Sequence, residues 1–249
     1  MATECLVPIK MFSMRLKRDG DLNKVYDRIL GYREKFTSEA VADDDHPASR
    51  ITVTGELEEN IWLDKTTGNE RSTFQISSNF LNEKKDGDEE GAKFRLTGVV
   101  LNDPSEADEV DKEGNPTGRK FVKLGVIGYG GKINVITLFA AGSQAAHIET
   151  HWTKEETVKV AGKVNITHKV EKIKEEQGFG EPVYRNKTTS HKELIITGGS
   201  ASGLEEELSY DRDSVMSALN DRKSKIAELK ESNTTAKASP KSKSTDFGF

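Results

Sequence analysis

The sequence predicts a mainly β protein centred on a five-stranded barrel, with one short helix between the third and fourth strands. Three observations lead there. The first is "ITLFAAGSQAAHIETHWTKEETVKVAGKVNI" (136–166), where an apolar run is broken by Gly-Ser, an alanine-rich stretch follows, and strict alternation then resumes. That is the pattern of strand, short helix, strand. The second is a pair of long alternating runs, "ETVKVAGKVNITHKVEKIK" (156–174) and "VYRNKTTSHKELIITGG" (183–199), on either side of the hairpin-tip stretch "EEQGFGEP". The third is "KFRLTGVVLND" (93–103) together with "RKFVKLGVIGYGGKINVITLFAAG" (119–142). The latter reads as two strands or one long bent strand, with Gly130-Gly131 at the break.

The flanking elements follow in order. Residues 21–36 put Leu22, Val25, Tyr26, Ile29, Leu30 and Phe36 on one helical face, with Asp21 as a plausible cap. "ADDDHPAS" (42–49) is a linker, and residues 50–81 read as two strands around a "KTTGNE" turn. "NEKKDGDEEGA" (82–92) is an acidic loop, and residues 104–118 are polar and turn-rich. Ser143 is suited to cap a helix from Gln144 to about His151. Residues 211–230 predict a helix with Val215, Leu219, Ile226 and Leu229 inward, and the low-complexity end "ESNTTAKASPKSKSTDFGF" predicts disorder. The expected division is therefore a helical segment and linker (1–49), a hairpin extension and acidic loop (50–92), the barrel (93–200), a C-terminal helix (201–230) and a disordered tail (231–249). A second register remains open, in which residues 50–81 supply the first two barrel strands.

Strand, strand, strand, short helix, strand, long hairpin, strand is the order of a five-stranded oligonucleotide-binding barrel, whose helix plugs one end. Ala145, Ala146 and Ile148 are small and apolar, as a plug in a narrow mouth requires.

Composition bounds the function. The 249 residues are 34% apolar and 32% charged, so a core is affordable but much of the chain is solvated. Cys5 is the only cysteine, which excludes a disulfide framework and a cysteine zinc site. No run approaches membrane-spanning length and no secretory signal order opens the chain, so the expectation is a cytoplasmic protein without a membrane partner. The net charge of −5 argues against a simple polycation. Its distribution is uneven: residues 83–113 hold eleven Asp/Glu against five Lys/Arg, and residues 119–200 hold thirteen Lys/Arg against eight Asp/Glu. A local basic groove can still hold phosphate, because salt screens charges beyond roughly 8 Å.

Sites for chemistry fail their tests. His147 and His151 have an i, i+4 spacing, but Glu149 is misplaced for a metalloprotease and no clear third ligand follows. "GVIGYGGK" is followed by a strand, not by a helix whose N-terminus could take phosphate. No nucleophile elbow or flagged carboxylate pair is present. The expectation is a non-enzyme that needs no cofactor and no metal.

Residues 93–200 resemble the bacterial and phage single-stranded DNA-binding proteins. The resemblance lies in the apolar strand ending Leu-Phe, the alanine-faced helix, the Val-alternating strand with its Gly, the long hairpin and the closing strand. It implies bases stacked on strand-borne rings and phosphates held by Lys and Arg. Phe139 falls on the family's Leu-Phe position. Two of the family's tryptophans are absent: Ile133 stands at one position, and His168 and Lys169 lie nearest the other. The remaining ring candidates are Phe121, Tyr129, Phe179 and Tyr184. The cations expected to line a groove are Arg119, Lys120, Lys123, Lys132, Lys163, Lys169, Arg185 and Lys187, from a wider basic set with Lys172, Lys174 and Lys192.

The family also ends in a linker, several acids and a terminal Phe that docks on replication partners. Here the tail offers Asp246, Phe247 and Phe249, with Lys241 and Lys243 nearby. The resemblance thus implies sequence-independent coating of single-stranded DNA in replication or recombination, a phage being one setting, with partners on the tail and a homo-oligomer as one assembly. Two alternatives stay open: a structural or assembly protein whose barrel and acidic loops bind protein, and an RNA-binding barrel.

Overall fold

The computed structural model describes residues 8–64, 66–108, 115–175 and 183–238. Five strands form the barrel: β6 (Lys93–Val100), β8 (Lys120–Ile127), β9 (Ile133–Ala140), β10 (Thr157–Glu175) and β11 (Val183–Gly199). Before them come β1 (Ile9–Lys10), α1 (Lys24–Lys35), β2 (Ile51–Val53), β3 (Glu56–Leu63), β4 (Glu70–Ser77) and β5 (Leu81–Glu83). The short β7 (Ser105–Glu106) pairs with β8, α2 (Gly142–His151) joins β9 to β10, and α3 (Arg212–Ala238) follows the barrel.

Around the barrel the order is β6-β10-β11-β9-β8, and β8 pairs back onto β6. Every contact is antiparallel except β9 with β11. This closed order, with a helix between the third and fourth strands, is the oligonucleotide-binding fold. Alternation along each strand fills the interior: Val122 and Leu124, Ile136 and Leu138, Val158 and Val160, and Leu194 and Ile196 are all buried in one core. Each contributes about 1.5–3 kcal/mol by leaving water. Gly130 and Gly131 take positive φ in the turn that separates β8 from β9, so the 119–142 segment is two strands.

At the α2 end, Ala145 and Ile148 enter the core and Trp152 is buried, its indole Nε1 donating to the Ser200 carbonyl at 3.1 Å. Two local expectations change here. Helix α2 starts at Gly142 with Ala141 as its N-cap, and Ser143 lies inside the first turn without capping. Ala146 is exposed, because one helical face of this short element meets the barrel and Ala146 is not on it.

Residues 50–81 do not enter the barrel. β4 pairs with β3 on one side and β1 on the other in a separate three-stranded sheet, and β2 pairs with β5. That sheet covers the end opposite α2, where Leu57, Phe74 and Ile76 pack with Phe94, Leu96 and Val126. Helix α1 is capped by Asn23, whose side chain accepts from the Val25 amide, not by Asp21. It has no buried residue, and Leu22 and Leu30 are exposed.

Helix α3 lies on the outside of the barrel, where Val215 and Ala218 pack on Val99 and Ile133. Ile226 is buried, whereas Leu229 is exposed. The helix continues past the expected end at 230 to Ala238. No Gly or Pro falls within Arg212–Ala238. An ion pair ties the helix to the rest: half-buried Arg222 grips buried Glu59 of β3 through Nε at 2.8 Å and Nη2 at 2.6 Å. Glu59 Oε2 also accepts from the Val135 amide of β9, and the Glu59 amide donates to Asn134.

Candidate nucleic-acid interface

β8 and β9 place Phe121 directly opposite Phe139. The neighbours of these residues along the strands, Val122, Leu138 and Ala140, are buried in the core, so alternation sends both rings to the outer face, where they are half-buried. The parallel contact of β9 with β11 sets Ile195 level with Phe139, and Lys163 of β10 stands opposite Ile195. Phe121, Phe139, Ile195 and Lys163 therefore form a row across four strands, about 14 Å from end to end at the usual strand spacing. Lys123, opposite Thr137, is exposed one step along the same face.

Arg119 organises this row. Its guanidinium carbon lies 5.1 Å from the Phe139 ring centroid, and Nη1 donates to Glu193 Oε1 at 2.9 Å. Glu193 is buried, with His191 Nε2 at 2.9 Å and Asn165 Nδ2 at 3.4 Å also on its carboxylate. Burial pushes the Glu193 carboxyl up, but the hydrogen bonds from Arg119 and His191, with the Arg119 charge, outweigh it and hold the group below the usual carboxylate range. Glu193 is a residue that sequence reasoning missed. Its signal is faint: it shares strand parity with the half-buried Ile195, a position where an unpaired acid would be costly.

The other candidates fall elsewhere. Lys120 has the opposite parity to Phe121 and is held by Glu106 at 3.3 Å and Glu149 at 2.7 Å. Tyr129, 95% exposed, and Lys132 sit at the β8–β9 turn, the far end of β9 from Phe139. Tyr184 and Arg185 are exposed on the distal arm of β11, where Arg185 stands opposite Ile173. Lys192 is half-buried on β11. Backbone pairing puts Lys169 opposite Thr189 and Lys187 opposite Glu171 on that hairpin, and Lys172 and Lys174 opposite Asn186 and Tyr184. Phe179, Lys241, Lys243, Asp246, Phe247 and Phe249 lie outside the described residues.

Ile133, standing where the resemblance has a tryptophan, is buried against Val215 and Ala218, so α3 occupies the place a stacking ring would need. The rings of His147 and His151 are 4.6 Å apart. Among the described residues, no group of three or more His, Cys, Asp or Glu is arranged to hold a metal, and no helix is long and apolar enough to cross a membrane.

A family model described as YorF matches residues 2–232. The chain belongs to the YorF family. No curated protein matches this YorF chain. Solved structures similar to it include the single-stranded DNA binding protein from Thermus aquaticus, at 14% identity and a TM-score of 0.39, covering 64% of the YorF chain and 62% of the Thermus chain. The YorF chain thus matches less than two thirds of that protein's length. A small single-stranded DNA-binding protein from Streptomyces coelicolor is 17% identical with a TM-score of 0.27, covering 44% of the YorF chain and 93% of its own. The Plasmodium falciparum protein, solved in complex with single-stranded DNA, is 14% identical with a TM-score of 0.31, covering 48% and 99%.

Proposed function

We propose that this protein binds single-stranded DNA on the outer face of β8, β9, β11 and β10, without reading sequence and without catalysing a reaction. The observation that carries the reading is the ring pair Phe121 and Phe139, half-open on the barrel wall and flanked by the exposed Lys123 and Lys163. Every base has a π face, so such rings bind without hydrogen-bond readout, at about 1–3 kcal/mol per stacked base. The lysines supply the phosphate contacts that make the binding salt-dependent. A duplex keeps its bases stacked inside and offers the rings nothing, so single strands are favoured. The resemblance of residues 93–200 points the same way.

On this reading the protein coats and protects exposed strands during replication or recombination. A phage setting, protein partners on the Asp246–Phe247–Phe249 tail and self-association belong to the same proposal. The division into an N-terminal lobe before 93, a binding barrel to 200 and a C-terminal helix is its working domain map.

Fluorescence anisotropy of labelled oligo-dT and of labelled duplex, each at low and high salt, tests it. Tight dT binding that exceeds duplex binding and weakens with salt supports the reading. No dT binding at low salt rejects it. Intrinsic fluorescence is a poor substitute, since Trp152 is buried and Trp62 lies on β3, away from the ring row.

A further inference from the structure

The outer face of β6 and β10 carries cations outside the ring row. Phe94, Leu96 and Val100 of β6 point to the core, so Lys93, Arg95 and Thr97 face out. On β10 the outward residues are Lys159, Ala161 and Lys163. Pairing sets Lys163 opposite Lys93, Ala161 opposite Arg95, and Lys159 opposite Thr97. Like charges opposite each other destabilise a sheet, so an anion beside the Lys93–Lys163 pair is favourable. Lys93 has Glu89 as its partner. Arg95, Lys159 and Lys163 are exposed, and among the described residues no carboxylate pairs with them. The contrast with Arg119, Lys120 and Arg222 is plain, since each of those is held by a glutamate. Between the cations the surface is low: Thr97 and Ala161 leave a shallow hollow of about 240 Å³ bordered by Arg95 and Lys159.

We propose that this face is a second phosphate-binding surface for a nucleic-acid strand, joined to the ring row through Lys163. Lys163 has Ile195 on one side, next to Phe139, and Lys93 on the other. A strand that leaves the rings at Ile195 meets Lys163, then Arg95 and Lys159, and so passes onto β10 and β6 instead of running along β8 and β9. The route along β9 is closed, because α3 covers Ile133 at the far end of the ring face. Lys159 and Arg95 hold backbone phosphate here and contribute no stacking, so the surface is blind to base identity. The inference rests on the proposed binding of single strands and adds to it the path and the length of strand engaged.

The test compares two oligo-dT lengths on the wild type and on Arg95→Ala/Lys159→Ala. One is about five nucleotides, near the lower end of barrel site sizes, and the other about twenty. The expected result is unchanged affinity for the short oligonucleotide. For the long one, affinity falls and the slope of log K against log salt flattens by about 0.7 for each cation lost. An unchanged melting temperature establishes that the exposed substitutions leave the fold intact. A double variant that binds the long oligonucleotide with wild-type affinity and slope overturns the second surface alone. A loss of equal size on both lengths overturns it too, because the cations would then belong to the ring row. Wild-type protein that ignores both lengths rejects the binding function itself, and the second surface with it.

Discussion

Glu193 lies buried beside Arg119, its Oε1 2.9 Å from Arg119 Nη1, and the guanidinium so held stands over the Phe139 ring. The charge of Arg119 is therefore spent inside the protein. On the proposed reading, Arg119 sets the ring's orientation and the phosphate contacts fall to lysines. Arg119→Ala leaves a buried carboxylate short of a donor, at about 1–3 kcal/mol of stability. It should weaken oligo-dT binding while changing the salt slope by much less than the 0.7 expected for a lost phosphate contact. Chemical denaturation and a salt titration check the two halves separately.

The same carboxylate gives a pH signature. Its folded pKa is depressed, so its contribution to stability is fully present above the unfolded value, about 4.3. That contribution is lost as pH falls through the lower folded value. Glu193→Gln should flatten stability against pH in the acid range below about 4.3, with its largest stability loss at neutral pH and little loss in acid, where the wild-type carboxyl is itself protonated. Denaturation midpoints across that range measure it.

Phe121→Ala and Phe139→Ala should each lower oligo-dT affinity by about 5- to 150-fold, the range set by 1–3 kcal/mol per stacked base. Tyr129→Ala should have a small effect by comparison, since Tyr129 sits at the opposite end of β9. Titrations of the three variants side by side distinguish the row from the turn.

Much of this was legible in the sequence, and the reason is alternation. Val158, Val160, Val164 and Ile166 declare β10, and Leu138 beside Phe139 declares β9 and its inner face. Phe139 is a candidate through the resemblance and Phe121 as one of the remaining rings, and the strand register then sets the two opposite each other. What alternation does not carry is the partner of a side chain. Lys120 and Arg119 are neighbours of equal charge, yet Glu106 and Glu149 hold the first, and Glu193 with Phe139 holds the second. Those acids come from distant strands and a helix. Nor could the fate of residues 50–81 be read locally, because a hairpin has the same pattern inside a barrel or on its end.

Arg222 and Glu59 provide the same lesson and a stability prediction. Their two-pronged pair joins α3, β3 and the Val135 amide of β9. Arg222→Ala strands a buried carboxylate and should cost about 3–5 kcal/mol in denaturant unfolding. Replacing both residues by leucine should cost less than the single change, because no charge is then left buried without a partner.

The most direct test of the account is where a bound strand touches the barrel. Oligo-dT carrying 5-iodouracil, cross-linked by ultraviolet light to the full-length protein and mapped by mass spectrometry, reads this residue by residue. Cross-links are expected at Phe121 and Phe139 that disappear under competition with unlabelled oligo-dT. Competed cross-links confined to residues away from β8 and β9, with both phenylalanines unmodified, would contradict it.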